Sequence, residues 1–216
     1  MHFGDIDYFY YEWDIDGLPW DAVTPVSVGQ EHPEDLDPRL IARISAGPLS
    51  GLGEDKKNAR AASTAFLYMY MILAKGGERY IHPILLLFER LIIMDGRPSF
   101  NFTARSTLPI GAGLGSSASF SVCAATALLI LHRRINPPPP PAPTSPTTGH
   151  IHLSHQGRRA IPFGVAEEVN RWAFVAEKVL HGNPSGVDNS VAVFGGALAY
   201  IKAGFEKKSG MEGIQG

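Results

Sequence analysis

Hydrophobic and polar positions along this chain fall into blocks that mark helices more clearly than strands. From Ala59 to Lys75 good helix formers run unbroken and Gly76-Gly77 supplies a stop, which predicts a helix over 59–75. Phe66, Tyr68, Met69, Met71, Ile72 and Leu73 crowd that segment, as in a core helix. Residues 80–94 read as a second helix; its stretch from Ile84 to Met94 is interrupted by Glu89 and Arg90 and is too short to span a bilayer. After Pro98, the residues Phe100, Phe102 and Ala104 alternate with polar ones as in a half-buried strand. An apolar run with Phe120, Val122, Ala124, Ala125, Leu128 and Leu129 predicts a helix over roughly 116–133. Structure resumes near Ala166, where Val169, Trp172, Ala173, Phe174, Ala176, Val179 and Leu180 make an amphipathic helix ending near His181-Gly182. Beyond it, Val191, Val193, Ala197, Ala199 and Ile201 read as a strand or hairpin. Residues 3–15, which mix aromatic and acidic side chains, read as a strand, and Gly204 to Gly216 as a frayed tail.

The composition changes abruptly at Asn136. Pro137 to Pro141 are consecutive prolines, with Pro143 and Pro146 beyond, and proline can neither donate to a helix nor to a ladder. Residues 136–160 are therefore expected to be a disordered surface insertion between two parts of one domain, 1–135 and 161–204, followed by the tail 205–216. His150, His152 and His155 lie in that insertion without a carboxylate or thiolate beside them, so a metal site is not expected there.

An apolar content of 44% is enough for a real core, and a formal charge of −2 gives no reason to expect nucleic acid or an anionic membrane as partner. The single cysteine, Cys123, excludes an internal disulfide and a multi-thiolate zinc site. Its place in an apolar helix suggests a buried structural thiol. The first residues lack a basic segment and an apolar core, so no signal peptide is expected and the protein is read as cytoplasmic.

Chemistry concentrates at residues 109–119, Pro-Ile-Gly-Ala-Gly-Leu-Gly-Ser-Ser-Ala-Ser. Alternate glycines let a backbone approach a ligand closely, and a loop feeding a helix N-terminus turns N–H groups and the positive dipole end toward one spot. That suits a phosphate, although taken alone the loop reads as a glycine-rich turn capping a helix. Ser116-Ser117 does not supply the Lys-Ser/Thr of the P-loop. The protein-kinase strings His-Arg-Asp and Asp-Phe-Gly are missing, as is a Gly-x-Ser-x-Gly hydrolase elbow.

A second string stands at 181–189, His-Gly-Asn-Pro-Ser-Gly-Val-Asp-Asn, after a segment with Asn-Arg-Trp-Ala-Phe at 170–174 and Glu177. Together with the glycine loop it resembles the mevalonate kinases of the GHMP kinase superfamily. Trp-Asp-Ile-Asp-Gly-Leu-Pro-Trp at 13–20 and Ser-Thr-Ala-Phe-Leu-Tyr-Met-Tyr at 63–70 are similar to the fungal branch of that family. The resemblance is strong over about 98–133 and 165–200, weaker over 1–75, and not carried in between. The family's opening Ala-Pro-Gly-Lys-Val and Gly-Glu-His strings, and its late glycine-rich motif, have no counterpart here. The resemblance thus implies an α+β fold, the GHMP N-terminal domain with helices packed on a mixed sheet, and a C-terminal domain largely absent. The chain looks like the middle of a kinase, truncated at both ends and by itself inactive.

The resemblance also assigns roles. Gly111, Ala112, Gly113, Leu114, Gly115, Ser116 and Ser117 would wrap the ATP phosphates, with Ser106 upstream also reaching the nucleotide; Ser117 and Glu177 would hold Mg²⁺, and Asp188 would be the catalytic base. Each has a plainer alternative: a helix cap for Ser117, a solvated helix charge for Glu177, and, for the Asn183-Pro184-Ser185-Gly186 turn that would fix Asp188, an ordinary turn with an Asx cap. The implied reaction is ATP- and Mg²⁺-dependent phosphorylation of mevalonate, a small-molecule substrate, for isoprenoid and sterol synthesis. No nucleic acid or membrane partner is implied, and a homodimer is compatible with the family. Two alternatives stay open at this point: another GHMP small-molecule kinase, and a non-catalytic remnant.

Overall fold

The computed structural model describes residues 12–24, 32–77, 97–104, 108, 112–137, 161–196, 198–199 and 212–213. These residues form five α-helices, α1 (Pro38–Ala46), α2 (Lys57–Gly77), α3 (Ser116–Leu131), α4 (Phe163–His181) and α5 (Val187–Phe194), and two short 3₁₀ turns, Trp20–Ala22 and Glu54–Lys56. Two short strands, β1 (Leu198–Ala199) and β2 (Glu212–Gly213), pair antiparallel with Leu198 opposite Gly213. The mixed sheet expected from the resemblance is not found among the described residues. The strand expected over 3–15 lies largely outside them, and Glu12 to Ile15 are not in a strand. The second expected helix, 80–94, and the proline-rich stretch from 138 to 160 also lie outside the described residues.

Helix α2 is the centre of the core. Every residue from Ala65 to Ala74 is buried, so the helix has no solvent face along that length, as the dense apolar run predicts. It packs against α1, α3 and α4. Burying two tyrosines requires partners for their hydroxyls. Tyr70 donates to the Pro98 carbonyl at 3.2 Å, and the Asp37 N–H donates to the Tyr68 hydroxyl at 2.9 Å.

The segment around the two early tryptophans closes one side of this core. Leu18 and Trp20 are buried; the Trp20 indole N–H donates to the Ile15 carbonyl, and its ring meets Tyr70 edge-on at 5.9 Å. Helix α1, not anticipated from its pattern, begins with Asp37 accepting from the Arg39 N–H and Pro38 in the first turn. Burial alone would raise the Asp37 carboxyl pKa, but the Arg39 side chain, the Thr24 hydroxyl and the Arg39 N–H together hold it below the usual value.

Three expectations are corrected. Residues 97–104 are not in a strand, although Phe102 does stack on Phe66 at 4.4 Å and Phe100 meets Tyr70 at 5.1 Å. Aromatic packing onto α2, without a ladder partner among the described residues, accounts for the alternation. Val191 and Val193 belong to helix α5, and the strand begins only at Leu198. Burial falls on Gly186, Asn189, Ser190 and, in part, Val193, the i, i+3, i+4, i+7 spacing of one helix face, which overrides the β-branched preference. Cys123 is exposed, because the buried face of α3 runs through Ala118, Ser121, Ala124, Ala125, Leu128 and Leu129 and leaves position 123 on the opposite side. No described helix is long and apolar enough to cross a membrane.

Candidate active site

Of the glycine loop, the structure describes Ala112 to Ser117, while Ser106 and Gly111 lie outside the described residues. Gly113 and Gly115 have φ of 70° and 72°, the left-handed region where a side chain is strained. A Cβ on either would meet no atom within 4 Å, so these glycines are demanded by backbone conformation and not by crowding. Gly115 is the N-cap of α3, and the first intrahelical bond runs from the Ser119 N–H to its carbonyl at 2.9 Å. The N–H groups of the preceding first turn have no intrahelical acceptor, the arrangement that favours an anion.

Helix α4 lies along α3 and carries Glu177 on its buried face with Ala173 and Ala176. The alternative of a solvated charge is excluded: Glu177 is only 3% exposed. Its carboxylate faces two hydroxyls of α3. Ser121 Oγ donates to Oε1 at 2.8 Å, and Ser117 Oγ stands 3.4 Å from Oε2. His181, one turn on in α4, places Nε2 3.7 Å from the same Oε2. Among the described residues no lysine or arginine pairs with Glu177. A carboxylate buried without a cation is costly, so the donor set fits a cation that the protein does not itself supply. One carboxylate, one hydroxyl and no larger His/Cys/Asp/Glu cluster among the described residues suit Mg²⁺, which takes few protein ligands and completes its shell with water and phosphate.

Two of the candidate residues, 60 positions apart in sequence, are thus brought together. Asp188 is placed differently. It is exposed in the first turn of α5, and its side chain makes no hydrogen bond or ion pair among the described residues. The helix carrying it is well anchored. Gly186, its N-cap, lies against the Phe174 ring, where a Cβ would come within 3.4 Å. Asn189 donates to the Asn170 side-chain oxygen at 2.7 Å, and Ser190 Oγ donates to the Gly186 carbonyl at 2.7 Å. The Phe174 and Asn170 contacts join α5 to α4, and α5 also packs on α3, so Asp188 rides on the same three-helix unit as Ser117 and Glu177.

Sequence reasoning missed Ser121, Asn170, Asn189 and Ser190. Ser121 was detectable in principle: it is four residues after Ser117, hence on the same face, and it is the polar member of an otherwise apolar stripe. The asparagine pair joins two helices across 19 positions, and no local pattern announces such a contact.

Residues 79–139 match the family model of the GHMP kinases N terminal domain. The chain is 34% identical to the mevalonate kinase of Gibberella zeae over 96% of its own length and 35% of that protein. It is likewise 34% identical to the mevalonate kinase of Aspergillus fumigatus, over 96% of this chain and 33% of the other. With the human mevalonate kinase it shares 36% identity over 70% of this chain and 31% of that protein. The chain therefore spans about a third of the length of the curated relatives it matches. Similarity also extends further than the motifs suggested, since 96% of the chain is aligned and the matched domain includes residues 79–97.

Proposed function

We propose that this chain is a GHMP kinase domain akin to the mevalonate kinases it resembles, and that its site serves ATP- and Mg²⁺-dependent phosphorylation of (R)-mevalonate to 5-phosphomevalonate, feeding isoprenoid and sterol synthesis. The observation that carries the proposal is the approach of Ser117 Oγ to Glu177 Oε2, 3.4 Å, at the helix end that the glycine loop feeds. The accompanying fold is an α+β domain in which a mixed sheet supports these helices. The setting is cytoplasmic, with a small-molecule substrate and no nucleic-acid or membrane partner.

In this reading the backbone from Gly111 to Ser117, with Ser106 upstream, holds the phosphates of ATP by N–H donation and the helix dipole. Ser117 and Glu177 hold Mg²⁺, which when bound neutralises charge on those phosphates. The substrate hydroxyl attacks the γ-phosphorus; the new O–P bond forms as the bond to the bridging oxygen breaks, and ADP leaves. Asp188 accepts the proton lost by the hydroxyl. Positioning supplies most of the rate in such a transfer, which is the use of tying α5 to α4 through Asn170 and Asn189.

Binding of a fluorescent ATP analogue to the 216-residue chain, with Mg²⁺ and with EDTA, tests the nucleotide part. Tighter binding with Mg²⁺, lost in Ser117→Ala and Glu177→Gln but kept in Asp188→Asn, is expected. Binding indifferent to Mg²⁺ and to all three substitutions would overturn the reading.

A further inference from the structure

We infer that Ser121 is a positioning residue that orients the Glu177 carboxylate and thereby sets the affinity of the site for a divalent cation; this rests on the reading of Ser117 and Glu177 as ligands. Ser121 is completely buried, on a face of α3 whose other buried members are alanine and leucine. A hydroxyl in such a place is costly unless it finds a partner. Buried or half-buried hydroxyls on helices commonly bond the carbonyl four residues back, and Thr64, Thr126 and Ser190 do so here at 2.7–2.8 Å. Ser121 does not. It donates across to Glu177 Oε1 at 2.8 Å.

The consequence is directional. A carboxylate has two oxygens, and the hydroxyls of Ser117 and Ser121 stand one helical turn apart on the same face. Ser121 engages Oε1 at the shorter distance, while Oε2 is left beside Ser117, nearer the start of the helix and the glycine loop. With Oε1 held, rotation of the carboxylate plane is restricted and Oε2 remains the oxygen offered to a cation. Partners that orient metal ligands in this way contribute about 10–100-fold in metal affinity. Ser121 touches neither nucleotide nor substrate in this arrangement, so its effect passes through Glu177.

The test uses Mn²⁺ as a paramagnetic stand-in for Mg²⁺, titrated with ATP into the full chain and followed by the electron spin resonance of free Mn²⁺. Ser121→Ala should weaken Mn²⁺ binding about tenfold, and Ser121→Thr, which keeps a hydroxyl, should recover most of it. In a Glu177→Gln background the Ser121→Ala change should alter binding less than twofold, because the group it acts on is gone. The thermal midpoint of each variant in EDTA identifies any that fail to fold, and Ser121→Cys, close to serine in volume, replaces Ser121→Thr if the extra methyl is not accommodated. Equal Mn²⁺ affinity in Ser121→Ala and the parent, with Glu177→Gln weakened, would overturn the role of Ser121 and leave the site reading intact. A full Ser121→Ala effect in the Glu177→Gln background would also overturn it. Indifference of Mn²⁺ binding to Glu177→Gln would instead refute the ligand assignment on which the inference rests.

Discussion

Replacing Glu177 by glutamine should stabilise the protein without metal while weakening its response to metal and nucleotide. The carboxylate is 3% exposed, and its one nearby basic group among the described residues is His181 at 3.7 Å. Glutamine has the same shape and can still accept from Ser121 at Oε1, so the change costs the difference between a charge-assisted and a neutral hydrogen bond, about 1 kcal/mol. Against this stands the desolvation of a buried ion, several kcal/mol after relaxation. The balance favours Glu177→Gln by about 1–3 kcal/mol, or about 2–4 °C in thermal midpoint for each kcal/mol in a chain of this size. The assay is thermal unfolding followed by circular dichroism in EDTA, then in saturating Mg²⁺ and ATP. With ligand the order should reverse, because a ligand at a thousandfold its Kd adds about 4.1 kcal/mol to the parent and far less to a variant that binds it poorly. A Glu177→Gln protein less stable than the parent in EDTA would refute the reasoning, since Glu177 would then be a structural acid already compensated within the fold.

Three further outcomes follow from particular residues. Burial, and secondarily the Arg134 charge, lower the His132 pKa to about 4, so His132 favours the folded state above its unfolded value near 6.5 and that stability is lost as pH falls toward 4; with its partial exposure discounted, the loss is about 1–2 kcal/mol. Urea titrations from pH 7 to 4 should show that slope in the parent and a shallower one in His132→Phe, and equal slopes would refute it. Gly115→Ala should cost about 1 kcal/mol from the left-handed backbone alone, and Gly115→Asn less, because asparagine tolerates that region; equal losses would point to crowding instead. Cys123 should react with a disulfide reagent in native buffer, and reaction only after denaturation would contradict its exposure on α3.

The three long helices were legible because their apolar residues recur over many turns and their ends carry glycine. What escaped was short or non-local. Helix α1 has only nine residues, and its Asp37-Pro38 start was the available sign. Helix α5 resembles a strand in the sequence because Val191 and Val193 sit two apart, a spacing that eight residues do not distinguish from a helical one. For Cys123 the helix phase decides: an apolar helix buries only the face turned to its neighbours, and Ala124 and Ala125 take that face. The site divides the same way. Ser117 and Glu177 stood out through resemblance, but Glu177 as a buried acid and Ser121 as its partner depend on how α4 lies across α3, which no local pattern encodes.

The measurement closest to the central claim is turnover in a chimera in which the matched segment of the Gibberella zeae mevalonate kinase is replaced by this chain. ADP release with ATP, Mg²⁺ and (R)-mevalonate would be compared between the chimera and its Asp188→Asn form, alongside the MgATP affinity of each. The account predicts an active chimera whose turnover falls about 10²–10⁴-fold on loss of the base, with MgATP affinity changed less than twofold. Undiminished turnover in Asp188→Asn, or loss of MgATP affinity equal to that in Glu177→Gln, would contradict it.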